Sequence, residues 1–105
     1  MESKKYNIRY LPIAKRDITE IIDYIAFDLK VINVAITMLN TIESSILSLR
    51  QNPYRGAILK SEKKHTPPYR MLVIKNYIVF YIILDDTVEI QRVIYNRKDF
   101  NKIFE

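Results

Sequence analysis

The sequence predicts an α+β fold: a short first strand, a hairpin of two helices, then an antiparallel β-meander with the helices packed on one face. Three observations carry this. Two segments in the first half space their apolar residues by three and four. Three segments in the second half are rich in β-branched and aromatic residues and joined by two-residue polar steps. The 105 residues also contain no repeat, low-complexity stretch or linker, so 1–105 is expected to be one domain with a modest core.

The elements follow in order. "KYNIRY" (5–10) alternates Tyr6, Ile8 and Tyr10 with Asn7 and Arg9, a first strand. Pro12 suits a helix start, where its missing N–H costs nothing. Ala14, Ile18, Ile21, Ile22, Ile25 and Leu29 then form one stripe, with Lys15, Arg16, Glu20 and Asp23 away from its centre. Asn33 is the expected N-cap of a second helix, whose seam is Ala35, Leu39, Ile42, Ile46 and Leu49. Asn52-Pro53 ends it. The few residues around Val31-Ile32 make the pair an antiparallel hairpin.

Gly56, the only glycine, is expected to take a positive φ in the turn "NPYRG". Ala57–Lys60 reads as a short strand and "SEKKHTPP" as a polar loop. Strands follow at Tyr69–Ile74, Tyr77–Leu84 and Val88–Tyr95, connected by Lys75-Asn76 and Asp85-Asp86. The end, "RKDFNKIFE", reads as a short C-terminal helical turn carrying Phe100, Ile103 and Phe104. Tyr77–Leu84 has no charged residue on either face. One face should meet the helices; the other is covered by the tail, by a partner, or left as a concave face where cations gather. A central strand buried on both sides would give the same pattern.

Composition removes several function classes. Without cysteine there is no disulfide framework, thiolate metal site or thiol nucleophile, and a single histidine, His65, cannot make a histidine-rich metal centre. One glycine rules out a Gly-rich phosphate loop. Ser44, Ser45 and Ser48 lie on a helix without a His/Asp arrangement, and Asp85 and Asp86 read as a turn. No cofactor and no metal are expected. "MESKKYNIRY" lacks a signal-peptide core and no apolar run approaches about 18 residues, so the expectation is a cytoplasmic protein without a membrane partner.

The net charge of +5 is uneven: residues 1–50 carry seven basic and six acidic side chains, residues 51–105 ten and six. Such an excess attracts nucleic acid or an acidic protein, although basic surfaces also serve solubility. Arg70 and Arg92 interrupt apolar strands. Alternation would turn Arg92 inward with Val88, Ile90 and Ile94, so it needs a carboxylate partner, a sheet end, a solvated cleft or a β-bulge that re-aims it. Tyr95, Arg97 and Lys98 bring a phenol and two cations to one strand end, expected beside the loop cations Lys60, Lys63, Lys64 and His65. Lys75 and Lys102 extend this candidate surface for nucleic acid or another target. Such a set suits phosphate contact and metal-free RNA cleavage, with Arg70, Arg92, Tyr95, Arg97 and Lys98 as the catalytic candidates. Tyr24, Tyr54, Tyr69, Tyr77 and Tyr81 read as core or rim aromatics.

"YLPIAKRDITEIIDYI", "LSLRQNPYRG", "YRMLVIKNYIVFYII" and "VEIQRVIYNRKDFNKIF" together resemble, in that order, the RelE/ParE superfamily of toxins from type II toxin–antitoxin modules. The resemblance spans nearly the whole chain. It implies a growth-inhibiting toxin neutralised by a cognate antitoxin that lays an extended or helical segment in the groove between helices and sheet. RelE-like members cut messenger RNA on the ribosome, and ParE-like members poison DNA gyrase. The similar RNases usually carry an arginine after the tyrosine that opens the penultimate strand, where this chain has Ile78. Asn96 stands where histidine can occur, while Arg70 matches a basic position of the RNases. Tyr95-Asn96-Arg97-Lys98-Asp99 resembles the H-x-R-x-D ending of ParE-like toxins, with Tyr95 in place of histidine. The resemblance thus leans to gyrase inhibition over ribosome-dependent mRNA cleavage, with an inert antitoxin-binding module as a third reading.

Overall fold

Alternation in the first strand and the two polar steps between the long apolar runs resolve into a five-stranded sheet ordered β1-β5-β4-β3-β2. The structure, a computed structural model, describes residues 4–60 and 64–97. Its elements are β1 (Asn7–Tyr10), α1 (Pro12–Asp23), a π turn (Tyr24–Asp28), α2 (Ile32–Leu47), 3-10 turns at Ser48–Arg50 and Pro53–Arg55, β2 (Ala57–Ile58), β3 (Arg70–Ile74), β4 (Tyr77–Leu84) and β5 (Thr87–Tyr95). The predicted C-terminal helical turn lies outside the described residues.

β3, β4 and β5 form the expected antiparallel meander, with Ile74 opposite Tyr77 and Leu84 opposite Thr87 across the two turns. Lys75 and Asp85, first residues of those turns, have φ of 55° and 53°. A side chain in the left-handed region is strained, so Lys75→Gly is expected to raise stability by a little under about 1 kcal/mol. A higher urea midpoint at unchanged slope would register it. β1 joins the far edge parallel to β5, Ile8 beside Val88 and Tyr10 beside Ile90. Arg9, opposite Glu89, donates to its Oε2 at 2.5 Å.

The helices cover one face of the sheet. Ala14 of α1, Ile42 and Ile46 of α2, and Leu49 pack fully buried against Leu72, Val79, Tyr81, Val88, Ile90 and Val93. Pro12 opens α1 as expected. Asn33, however, is not the N-cap: α2 starts at Ile32 after Val31, with no side-chain cap, and Asn33 lies within the first turn. Leu29 leaves the α1 stripe. The π turn inserts extra residues per turn, and Leu29 ends it 52 % exposed, its N–H bonded to Tyr24 O at 3.0 Å. Ile32–Arg50 is long and apolar enough to cross a membrane; here Ile42, Ile46 and Leu49 pack on the sheet while Ile32, Val34, Ile36 and Leu47 stay exposed.

The opposite face is not an open, cation-lined surface. Leu59, Ile78 and Phe80 are buried there, with Tyr69, Met71 and Ile94 packed against them. Leu59 N donates to Tyr69 O at 2.7 Å, so these two residues lie together over β4. Apolar side chains thus bury the centre of this face, as a central strand buried on both sides would require, and no concave face of gathered cations is left there among the described residues. Gly56 also departs from expectation. Its φ is −76°, ordinary extended backbone.

Candidate functional site

The stripe of α1 contains a carboxylate. Asp17 falls three residues after Ala14 and four before Ile21, on the buried side, and is only 8 % exposed. It lies against β5 just beyond β1. Pairing between β1 and β5 stops at Tyr10 and Ile90, where Leu11 N donates to Ile90 O at 3.0 Å. Past that point the edge of β5 has lost its neighbouring strand, and Asp17 Oδ2 accepts the Val93 N–H at 3.0 Å. The same carboxylate holds Arg92 in a fork, Nε to Oδ2 at 2.7 Å and Nη2 to Oδ1 at 3.0 Å.

A β-bulge accompanies this: Phe80 faces Arg92 while Tyr81 faces Ile90, so Gln91 is the extra residue. Arg92 is therefore a paired guanidinium. The hydrogen bonds to Asp17 raise its pKa, outweighing the opposing effect of burial, with Glu20 adding attraction. It stays charged at any working pH.

Arg70 is also committed. Its Nη1 donates to Gly56 O at 2.9 Å and Tyr54 O at 3.3 Å, and the guanidinium lies 4.9 Å from the centre of the Tyr54 ring. It fastens the turn before β2. Strand register separates it from Tyr95: Arg70 faces Tyr81, whereas Ile74 faces Tyr77 and Tyr77 faces Tyr95. Four residues of strand span roughly 13 Å. Lys60 and Lys64 are exposed, on the loop rooted at the Arg70 end of the sheet. The His65 ring meets the Tyr69 ring at a tilt of 54°, 4.5 Å between centres, with Nε2 buried and unpartnered. Lys75 lies instead at the Tyr95 end, beside α2, in the turn whose Asn76 O accepts Asn96 N at 2.8 Å. Arg97 follows β5 and is exposed. Lys63, Lys98 and Lys102 lie outside the described residues. Of the catalytic candidates among the described residues, Arg92 and Tyr95 line one cleft, Arg97 follows Tyr95 by two residues and Arg70 lies at the other end of the ladder, and Arg92 is paired with Asp17.

What forms around Arg92 and Tyr95 is an open cleft of about 610 Å³ between the second half of α1, the π turn and the ends of β4 and β5. Tyr24, Tyr77 and Tyr95 line it with Glu20, and the Asp17–Arg92 pair closes one wall. Tyr77 and Tyr95 meet edge to face, 5.8 Å between ring centres and 82° between planes. Sequence reasoning placed Tyr24 and Tyr77 as rim or core aromatics and put Asp17 and Glu20 on the first helix without giving either a role at the site. Among the described residues no group of three His, Asp or Glu side chains could hold a metal.

Burial, then the neighbouring Tyr95 and Tyr24, raises the Tyr77 phenol above its ordinary 10.0. Burial also raises Tyr10, with Glu43 adding to it, and Tyr81, where the Gly56 hydrogen bond, Arg70 and Arg55 oppose it. Above pH 10 the unfolded chain releases phenolic protons that the folded chain keeps. Stability is therefore full below that pH and falls as pH rises through the folded-state values. Urea midpoints constant near neutrality and declining in that alkaline range, less so in Tyr81→Phe, are the expected result.

A family model described as the ParE toxin of type II toxin–antitoxin systems, parDE, matches residues 8–100. No curated protein is a significant sequence match. Two of the solved structures that share the fold illustrate it. One, titled as the chromosomal ParDE toxin–antitoxin system of P. aeruginosa, has TM-score 0.74 and 20% identity, covering 90% of this chain and 100% of that one. The other, the RelBE2 toxin–antitoxin complex of Mycobacterium tuberculosis, has TM-score 0.64 and 22% identity, covering 92% and 98%.

Proposed function

The chain belongs to the ParE toxin family of type II toxin–antitoxin systems, and on that premise we propose that it arrests growth by binding DNA gyrase and that a cognate antitoxin holds it inactive. Binding is favoured over RNA cleavage by one observation above all. Ile78, where the similar RNases carry arginine, is 2 % exposed inside an apolar cluster with Leu59 and Phe80. Metal-free cleavage needs cations free to stabilise charge at the scissile phosphate. Arg70 is engaged by backbone carbonyls and Arg92 by a carboxylate. The antitoxin reading is supported by the solved relatives, whose titles name toxin–antitoxin assemblies. Both the antitoxin and the target would be met in the cytoplasm.

Induced expression in a bacterium is expected to stop division, and co-expression of the adjacent small gene to restore it. The purified protein should inhibit gyrase supercoiling and trap cleaved DNA. New transcript ends appearing during arrest, with supercoiling unaffected, would establish ribosome-dependent mRNA cleavage instead. Unimpaired growth with folded protein would leave only an inert antitoxin-binding module.

A further inference from the structure

We propose that the cleft between α1 and the ends of β4 and β5 receives an arginine side chain of the antitoxin. This rests on the toxin–antitoxin reading above and adds the chemistry by which one point of the partner is recognised.

The argument starts from the unspent acceptors. Both oxygens of Asp17 are occupied by Arg92 and Val93 N–H. Glu20 makes no ion pair among the described residues, so the cleft keeps one carboxylate more than its single guanidinium neutralises. That is unusual on a chain of net charge +5. The shallow pocket at Lys5 and Arg50 is cationic and the one beside Lys75 carries a cation. Here the sign is reversed.

The aromatic surface points the same way. Tyr24 is 52 % and Tyr95 58 % exposed, and among the described residues neither hydroxyl makes a hydrogen bond. Tyr77 and Tyr95 meet edge to face at 5.8 Å, and Tyr24 lines the same cleft, so the three phenols share one surface. Phenol faces attract cations, and a planar guanidinium stacks on them while its five N–H groups serve several acceptors at once. Glu20 repels a phosphate or an acidic side chain. A purely apolar side chain would leave the hydroxyls and the carboxylate without partners. In a partner otherwise drawn to a basic surface, one arginine seated here would fix the register of the bound segment.

The test has two arms. In the first, the isolated chain carrying fluorotyrosine is titrated with N-acetyl-arginine amide, and with N-acetyl-glutamine amide as the uncharged control. Saturable shifts confined to Tyr24, Tyr77 and Tyr95, absent with the control and lost in Glu20→Lys, support the inference. No shift, or equal shifts with both compounds, overturns it. The second arm uses the purified toxin–antitoxin complex. Glu20→Lys and Tyr24→Ala, both at exposed positions, are expected to speed its dissociation roughly 10- to 30-fold, and Tyr24→Phe much less. Unchanged dissociation of a complex that still neutralises the wild-type toxin refutes the antitoxin arginine and leaves the toxin–antitoxin reading standing. Failure of any antitoxin to bind the wild-type chain strikes that reading itself, and the inference falls with it.

Discussion

Asp17→Ala is expected to lower the unfolding free energy by about 3 kcal/mol. The carboxylate makes three hydrogen bonds, two from Arg92 and one from Val93 N–H. Its removal strands a guanidinium and a backbone donor at the place where β5 has lost its neighbouring strand. Breaking a fully buried pair typically costs about 3–5 kcal/mol. The Arg92 side chain keeps 27% of its surface exposed, so water can solvate part of it and the lower end applies. Asp17→Asn should cost less, since the amide oxygen still accepts from Val93. Combining Asp17→Ala with Arg92→Met removes the stranded charge, and the pair of changes should cost clearly less than their sum. Urea denaturation of the four chains closes the cycle. Additive losses would show that Asp17 acts by packing alone and that Arg92 needs no partner.

That pair also marks where the sequence stops being legible. The need was visible, because an inward arginine between Ile90 and Ile94 demands a carboxylate or an exit. The partner was visible too in hindsight: Asp17 stands on the apolar stripe, three residues after Ala14 and four before Ile21. What no periodicity supplies is that α1 crosses β5 at the residue where β1 ends. Strand boundaries fared well, because "KN" and "DD" break continuous apolar runs and leave little choice of register. Most of the α2 seam held, with Ala35, Ile42, Ile46 and Leu49 buried and Leu39 half-buried, because an alternation of four and three faces one surface. The π turn that turned Leu29 outward has no signature in hydrophobic spacing. Among the described residues, the predicted cationic group is divided for a tertiary reason. Arg70 and Tyr95 sit at opposite ends of the strand ladder, and chain neighbourhood cannot reveal that.

Gly56→Ala is the second large effect, again expected at about 3 kcal/mol, and its cause is space. At its φ of −76° the backbone would accept any residue. A Cβ built there, however, would lie 2.5 Å from the Tyr81 hydroxyl and 2.7 Å from Met71 O. Neither can step aside cheaply. The hydroxyl donates to Pro53 O at 2.6 Å and accepts Gly56 N–H at 3.0 Å, so it ties the turn after α2 to the middle of β4. Met71 O belongs to the backbone of β3, opposite Ala57 in β2. Tyr81→Phe alone should cost less, about 1–3 kcal/mol, by leaving a buried carbonyl and amide without their shared partner. Adding Tyr81→Phe to Gly56→Ala removes the nearer clash but not the one with Met71 O. The double variant should therefore recover only part of the Gly56→Ala loss beyond the phenylalanine cost. Full additivity would mean that the methyl group and the hydroxyl never meet, and that the close approach of Gly56 to Tyr81 is not what reserves the position for glycine. Thermal and urea unfolding of the three variants decide between these outcomes, since each predicts a different order of midpoints.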